Sequence, residues 1–328
     1  MIIAVNDNFD IEQTAYSGQC FRAKALPGSY VQFVTGNHLI CLKDISAEAG
    51  DVEADVAYFM GETGGCRADC ANSVEKYETN KNNADKYRGS ASESKAECLV
   101  ERPSIRYFEV TCTLKEWKEV WEHYFDLGYK YKDVLKSIPE DDVYALNSYN
   151  FSSGIRILNQ DRFETLISFI ISQRKSIPAI SSAVEKISRK YGTKIGSNTD
   201  GEILYSFPTP DQLMRATKEE LADCGLGYRV DYVLDAVKKV ITGELDLAMM
   251  TQLSDEELFE KLKTVNGVGD KVSNCVSLFG YHRIGRAPVD TWIAKVINEE
   301  YNGINPFDRY GEVAGIVQQY IFFYARQK

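Results

Sequence analysis

Residues 254–292 read SDEELFEKLKTVNGVGDKVSNCVSLFGYHRIGRAPVDTW, and this stretch decides the fold of the second half of the chain. Two amphipathic helical patterns, SDEELFEKLKTV and DKVSNCVSLFGY, flank Asn266-Gly267-Val268-Gly269. A helix, a G-x-G turn and a second helix make a tight helical hairpin over residues 254–280. Glycines in such a turn allow positive φ and close approach to another molecule. The amides of Gly267 and Gly269 and the start of the second helix then suit a phosphate. A plain helix connection uses glycine as readily. Over residues 261–289 five cations (Lys261, Lys263, Lys271, Arg283, Arg286) face one carboxylate, Asp270, which predicts a basic patch. Lys271 opens the second helix, where the helix dipole disfavours positive charge. A nucleophilic lysine needs that help, since a free amine titrates near ~10.4 and must drop by roughly 2–3 units to react at neutral pH. Asp290 precedes an apolar helical pattern and reads as an N-cap, a position that can also face a site.

Working outward, DRFETLISFIISQ, IPAISSAVEKISRKYG, TPDQLMRATKEELADCG, YRVDYVLDAVKKVITG, DTWIAKVINEEY and GEVAGIVQQYIFFYARQ carry apolar residues at helical spacing. TLKEWKEVWEHYFDLG does the same earlier in the chain. Upstream the texture is strands: YVQFVTG and HLICLKDI around a Gly36-Asn37 turn, then DVAYFM and IRYFEVTC. The expected architecture is α+β: an N-terminal antiparallel sheet domain over 1–148, then an all-helical region over 149–328. Residues 61–104 are polar and nearly free of large apolar side chains, which predicts an exposed insertion. Its Cys66, Cys70 and Cys98 lack metal-ligand spacing. Cys275 is the last cysteine in the chain, so no iron–sulfur ligand set exists near the C-terminus.

The 328 residues are 44% hydrophobic and 26% charged, enough for a sizeable core. No apolar run is long enough for a membrane span, and MIIAVNDNFD lacks the basic start of a secretory leader. Reduced thiols in the cytoplasm are therefore expected. A net charge of −10 argues against a protein that coats nucleic acid, but not against local basic surfaces. One such stretch holds Arg174, Lys175, Lys186, Arg189, Lys190 and Lys194 against Glu185.

The run VNGVGDKVSNCVSLFG followed by APVDTW resembles the helix–hairpin–helix–Gly/Pro–Asp signature of base-excision DNA glycosylases. Its lysine is similar to that of the glycosylase/lyases. Tyr16-Ser17-Gly18-Gln19-Cys20-Phe21-Arg22 and Gly225-Leu226-Gly227-Tyr228-Arg229 resemble two motifs of the 8-oxoguanine DNA glycosylases. The resemblance covers nearly the whole chain outside 61–104.

The resemblance implies a monomer, associated with the nucleoid in a bacterial cell, that flips 8-oxoguanine from duplex DNA. Lys271 would attack C1′, expel the base and hold the sugar as a Schiff base, and β-elimination would nick the strand. Asp290 would stabilise the charge developing at C1′. The Gly18 carbonyl would accept the N7–H that distinguishes 8-oxoguanine from guanine. Gln318 would read the Watson–Crick edge, and Phe322 and Cys275 would sandwich the purine. Tyr228 would wedge into the duplex, Arg229 would meet the partner strand or orphaned cytosine, and Gln173 or Arg174 would fill the gap. No cofactor is implied for catalysis, although the hairpin carbonyls could take a structural cation. The chain departs from the family at Arg174 and Ala179, where an asparagine and an arginine usually read the opposite cytosine, so opposite-base selectivity is expected to be loose. Trp292 stands where a histidine is common. Two rival readings are a monofunctional glycosylase for alkylated bases, which would not need Lys271, and a damage-binding module without turnover.

Overall fold

The computed structural model describes residues 1–48, 56–60 and 105–328. The expected insertion, with Cys66, Cys70 and Cys98, lies outside the described residues. Six N-terminal strands, β1 (Ile2–Val5), β2 (Lys24–Leu26), β3 (Tyr30–Thr35), β4 (His38–Asp44), β5 (Val56–Met60) and β6 (Arg106–Val110), form one sheet in the order β2-β3-β4-β6-β1-β5. The expected hairpin is β3–β4: Thr35 pairs with His38 across a two-residue loop. Gly36 takes φ +52° there, as such loops require. The sheet is antiparallel except at one edge, where β5 runs parallel to β1.

Beneath the sheet, Phe9, Phe33, Phe108, Trp117, Trp121 and Phe125 form a buried aromatic core. Each large aromatic removes roughly 150–250 Å² from water. The predicted helix at TLKEWKEVWEHYFDLG is interrupted. Leu114–Glu116 and Glu122–Tyr124 are α-helical, but Trp117–Trp121 is wound as a π-turn. The wider turn accompanies complete burial of both indoles.

The remaining chain is helical and shares one large core. It comprises α1 (Val143–Ser152), α2 (Arg162–Ser172), α3 (Ile177–Tyr191), α4 (Val230–Ile241), α5 (Asp255–Lys263), α6 (Asp270–Gly280), α7 (Thr291–Glu300) and α8 (Ala314–Ala325), among shorter turns. The TPDQLMRATKEELADCG pattern is two helices, Pro210–Leu213 and Lys218–Asp223, each started by its own capping box. Thr217 closes one box with Glu220 and so restarts the chain direction. A small hairpin, β7 (Lys194–Ser197) with β8 (Ile203–Tyr205), has no counterpart in the sequence reading. Its Gly196 and short strands give no alternating pattern. No helix among the described residues is long and apolar enough to cross a membrane.

Candidate active site

The hairpin between α5 and α6 forms as its sequence implies, and α4 grips it from one side. Gly267 takes φ +79° and lies so close to the Tyr232 ring that an added Cβ would come within 2.3 Å of it. Asp235 Oδ2 accepts from the Asn266 amide at 2.8 Å, and Lys239 donates to the Thr264 carbonyl. Tyr232, Asp235 and Lys239 thus fix the turn from one face of α4. No backbone hydrogen bond among the described residues engages the amides of Gly267 and Gly269. The site therefore presents outward donors at a helix start.

The expected basic patch is largely neutralised from within. Lys263 pairs with Glu260 (3.3 Å) and Asp270 (3.1 Å). Arg283 and Arg286 both lie 3.4 Å from Asp255, and Arg286 also reaches Glu256 at 2.8 Å. Lys261 and Lys271 have no carboxylate within ion-pair distance among the described residues. In the second stretch Arg189 and Lys190 pair with Glu202 and Glu220.

Lys271 is the second residue of α6 and is half-buried. Its Nζ donates to Ser172 Oγ at 3.4 Å and stands 5.1 Å from the Phe169 ring centroid. Phe169 is itself stacked on Phe279, which holds the last turn of α2 under the amine. Ser172 and Phe169 are missing from the sequence reading, because both look like ordinary buried positions of an apolar helix. Cys275, one turn beyond Lys271 on the same face, is buried. Burial pushes its thiol pKa up, Lys271 draws it down, and Asp290 raises it. The amine, thiol and carboxylate therefore share one electrostatic neighbourhood. Asp290 is the N-cap of α7, with Oδ1 accepting from the Ile293 amide at 2.9 Å. Both sequence readings of Asp290, as cap and as a carboxylate beside Lys271, are compatible with this placement.

The N-terminal motif wraps Gly18 in anchors. Ser17 Oγ donates to the Thr14 carbonyl at 2.8 Å. Gln19 is fully buried; its Nε2 donates to Ser17 Oγ and the Arg156 carbonyl, and its Oε1 accepts from the Leu158 amide, all at 2.8 Å. Phe21 packs edge-on against Phe169 at 5.4 Å. Arg22 donates to Glu185 (2.7 Å) and to the Tyr205 carbonyl (2.5 Å). Between these anchors Gly18, at φ +80°, lies against Phe322 of α8, where an added Cβ would stand 3.0 Å from the ring. No backbone hydrogen bond among the described residues is donated to its carbonyl. Gln318, one turn before Phe322, is buried and accepts from Gln319 Nε2 at 3.0 Å. Gly18 and Phe322 are thus in contact, and Phe169 lies against both Phe21 of this motif and the Lys271 amine.

The predicted strand-facing residues divide in two. Tyr228 is 55% exposed and Arg174, at φ +50°, projects from the α2–α3 turn. Arg229, by contrast, is buried. It donates to the Leu226 carbonyl at 3.1 Å and to the Gln173 carbonyl, and its guanidinium lies 4.3 Å from the Tyr228 ring centroid. Gln173 Nε2 turns back to the Ile170 carbonyl at 3.1 Å. Lys175 donates to the Gly225 carbonyl. Arg229 and Lys175 thus brace the two loops from which Arg174 and Tyr228 project. Ala179 and Trp292 are both exposed. Two clefts of about 640 and 520 Å³ lie elsewhere, around His38, and contain none of these residues.

Residues 1–166 match the family model for the 8-oxoguanine DNA glycosylase N-terminal domain, and residues 167–320 match that of the HhH-GPD superfamily of base excision DNA repair proteins. The chain belongs to the 8-oxoguanine DNA glycosylase family. Within that family it is 31% identical over 244 residues to a probable N-glycosylase/DNA lyase of Methanothermobacter thermautotrophicus, covering 65% of this chain and 76% of the relative. It is 33% identical over 191 residues to the N-glycosylase/DNA lyase of Saccharomyces cerevisiae, covering 54% of this chain and 50% of that protein. The structure is similar to that of the Clostridium acetobutylicum 8-oxoguanine glycosylase/lyase in complex with double-stranded DNA containing cytosine opposite 8-oxoG. The TM-score is 0.74 and the identity 28%, with 100% of this chain and 98% of that chain covered.

Proposed function

We propose that the chain is a bifunctional 8-oxoguanine DNA glycosylase and abasic-site lyase of base-excision repair. The observation that carries this reading is the Lys271 amine set against Ser172 and Phe169 at one helix start, with the Asp290 carboxylate held at the next helix start and Phe322 against Gly18. The amine stands at a helix start over an aromatic ring, and the carboxylate is held at a second helix start. An alkylated-base glycosylase needs only the carboxylate, and a binding module needs neither.

In this reading the lesion leaves the stack and enters between Phe322 and Cys275. The Gly18 carbonyl accepts the N7–H; guanine would set a lone pair against that oxygen. One such mismatch is worth about 1–3 kcal/mol, so it supplies part of the selectivity. Neutral Lys271 attacks C1′ as the N-glycosidic bond breaks. The base departs with the bonding electron pair and takes up a proton. Asp290 offsets the positive charge at C1′ during this step. Loss of the amine proton and opening of the sugar give the imine. Removal of a C2′ proton then expels the 3′ phosphate by β-elimination, and water hydrolyses the imine to free Lys271. The route draws on no metal. The chain would work as a monomer in the cytoplasm, at the nucleoid in a bacterium.

Borohydride reduction on an 8-oxoguanine:cytosine duplex tests this. The wild-type chain should form a covalent protein–DNA adduct, and Lys271→Gln should form none. Base release without an adduct would indicate a monofunctional enzyme, and binding without either a damage-recognition module.

A further inference from the structure

Arg326 follows the last turn of α8, two residues before Lys328, and reaches a loop distant in sequence. The residue is half-buried. Its Nη1 donates to the Tyr16 carbonyl at 3.2 Å, and its guanidinium carbon stands 5.3 Å from the centroid of the Phe322 ring. Tyr16 lies two residues before Gly18, and Phe322 is the ring that Gly18 touches. One side chain therefore joins the Phe322 wall of the candidate base pocket to the loop that carries Gly18. A cation that merely complements a helix C-terminus needs no contact with a distant loop or ring. Among the described residues no carboxylate lies within ion-pair distance of Arg326. Burial lowers its pKa, and the charge of Asp290 raises it.

We propose that Arg326 is a positioning residue for the lesion base, one that holds the Tyr16–Gly18 backbone and the Phe322 ring in the register that receives a purine. The inference rests on the functional reading above. Planar guanidinium suits the role, because it stacks on a ring and donates in its own plane at the same time. The contacts of Arg326 concern the base and not the sugar. An abasic site carries no base, so Lys271 chemistry on such a site should not depend on this residue.

The test compares single-turnover rates on an 8-oxoguanine:cytosine duplex and on the same duplex with a preformed abasic site. Arg326→Met should slow base excision about tenfold, the size of effect that misplacing a bound group produces, and leave abasic-site nicking within about twofold of wild type. Arg326→Gln, which keeps a donor for the Tyr16 carbonyl, should show the same split with a smaller loss and covers the case of a misfolded Arg326→Met. Equal losses on both substrates, or excision at the wild-type rate by either folded variant, would overturn the proposal. A wild-type chain that nicks the abasic duplex but leaves 8-oxoguanine in place would instead overturn the assigned lesion, and this inference with it.

Discussion

In Tyr16–Arg22 nearly every side chain is turned inward and bonded, whereas in Gly267–Cys275 the chemistry-bearing groups are left with few partners. Ser17, Gln19, Phe21 and Arg22 together immobilise a backbone so that one glycine can meet Phe322. The second segment does the reverse: two glycines and a helix start present free amides and an amine held by a long contact to Ser172 and by the Phe169 ring. In the proposed function, recognition of the base is thus built as scaffold, and reactivity as exposure of a few groups on a scaffold made elsewhere. Substitutions in the first segment should cost stability and pocket shape, and those in the second should cost chemistry or grip.

The largest expected effect is that of Lys271→Gln. It should lower excision by roughly 10³-fold or more, as loss of a covalent nucleophile does, while the thermal midpoint stays within about 2 °C. A midpoint several degrees lower would break the division just drawn. Arg22→Met should show the opposite profile. Its side chain is fully buried against Glu185, so breaking the pair should cost roughly 2–4 kcal/mol, read from a denaturant midpoint. Gly267→Ala forces a side chain into the Tyr232 ring at a positive φ. We expect about tenfold weaker DNA binding, equivalent to ~1.4 kcal/mol, with the excision rate of bound substrate unchanged.

How much of this was readable in the sequence depends on whether a residue's role is local. Helices started by Ser254, Asp161 and Asp290, and the glycine turn between α5 and α6, are dictated within a few positions of chain. The fold class followed from those signals and from the β3–β4 hairpin. Roles that depend on distant partners were hidden. Nothing near Arg229 says that it is buried under the Gln173 carbonyl, and nothing near Arg283 or Arg286 says that Asp255 answers their charge. Lys271 and Asp290 were singled out by motif, but Ser172, Phe169 and Arg326 carry no motif, and only the packing of α2 and α8 brings them to the candidate site.

The smallest effect expected concerns Glu164, which sits near Arg22 at the edge of the buried motif. Burial pushes its carboxyl up to about 7, with Arg22 opposing. A raised carboxyl pKa means that the folded state holds a proton which the unfolded chain has already lost. Stability should therefore fall as pH climbs from about 4.5 towards 7 and then level off. Glu164→Gln should flatten that slope and add on the order of 1 kcal/mol at pH 8, measured by denaturant titration at several pH values. A slope unchanged by this substitution would place the sensitivity elsewhere.

Helix α4 has an end that bears on how such a molecule could search a genome. Tyr228 projects just before its first turn, while Tyr232, Asp235 and Lys239 farther along clamp the glycine turn. In the proposed reading, the grip is fixed by α4 and the probe sits on the braced turn that leads directly into it. On that reading the interval between a phosphate at the glycine turn and a base step met by Tyr228 would be set by helix geometry, like the spacing of marks on a ruler. A chain sliding along duplex would then interrogate each step at the same offset, because the turn that carries Tyr228 is braced by Arg229 and Lys175.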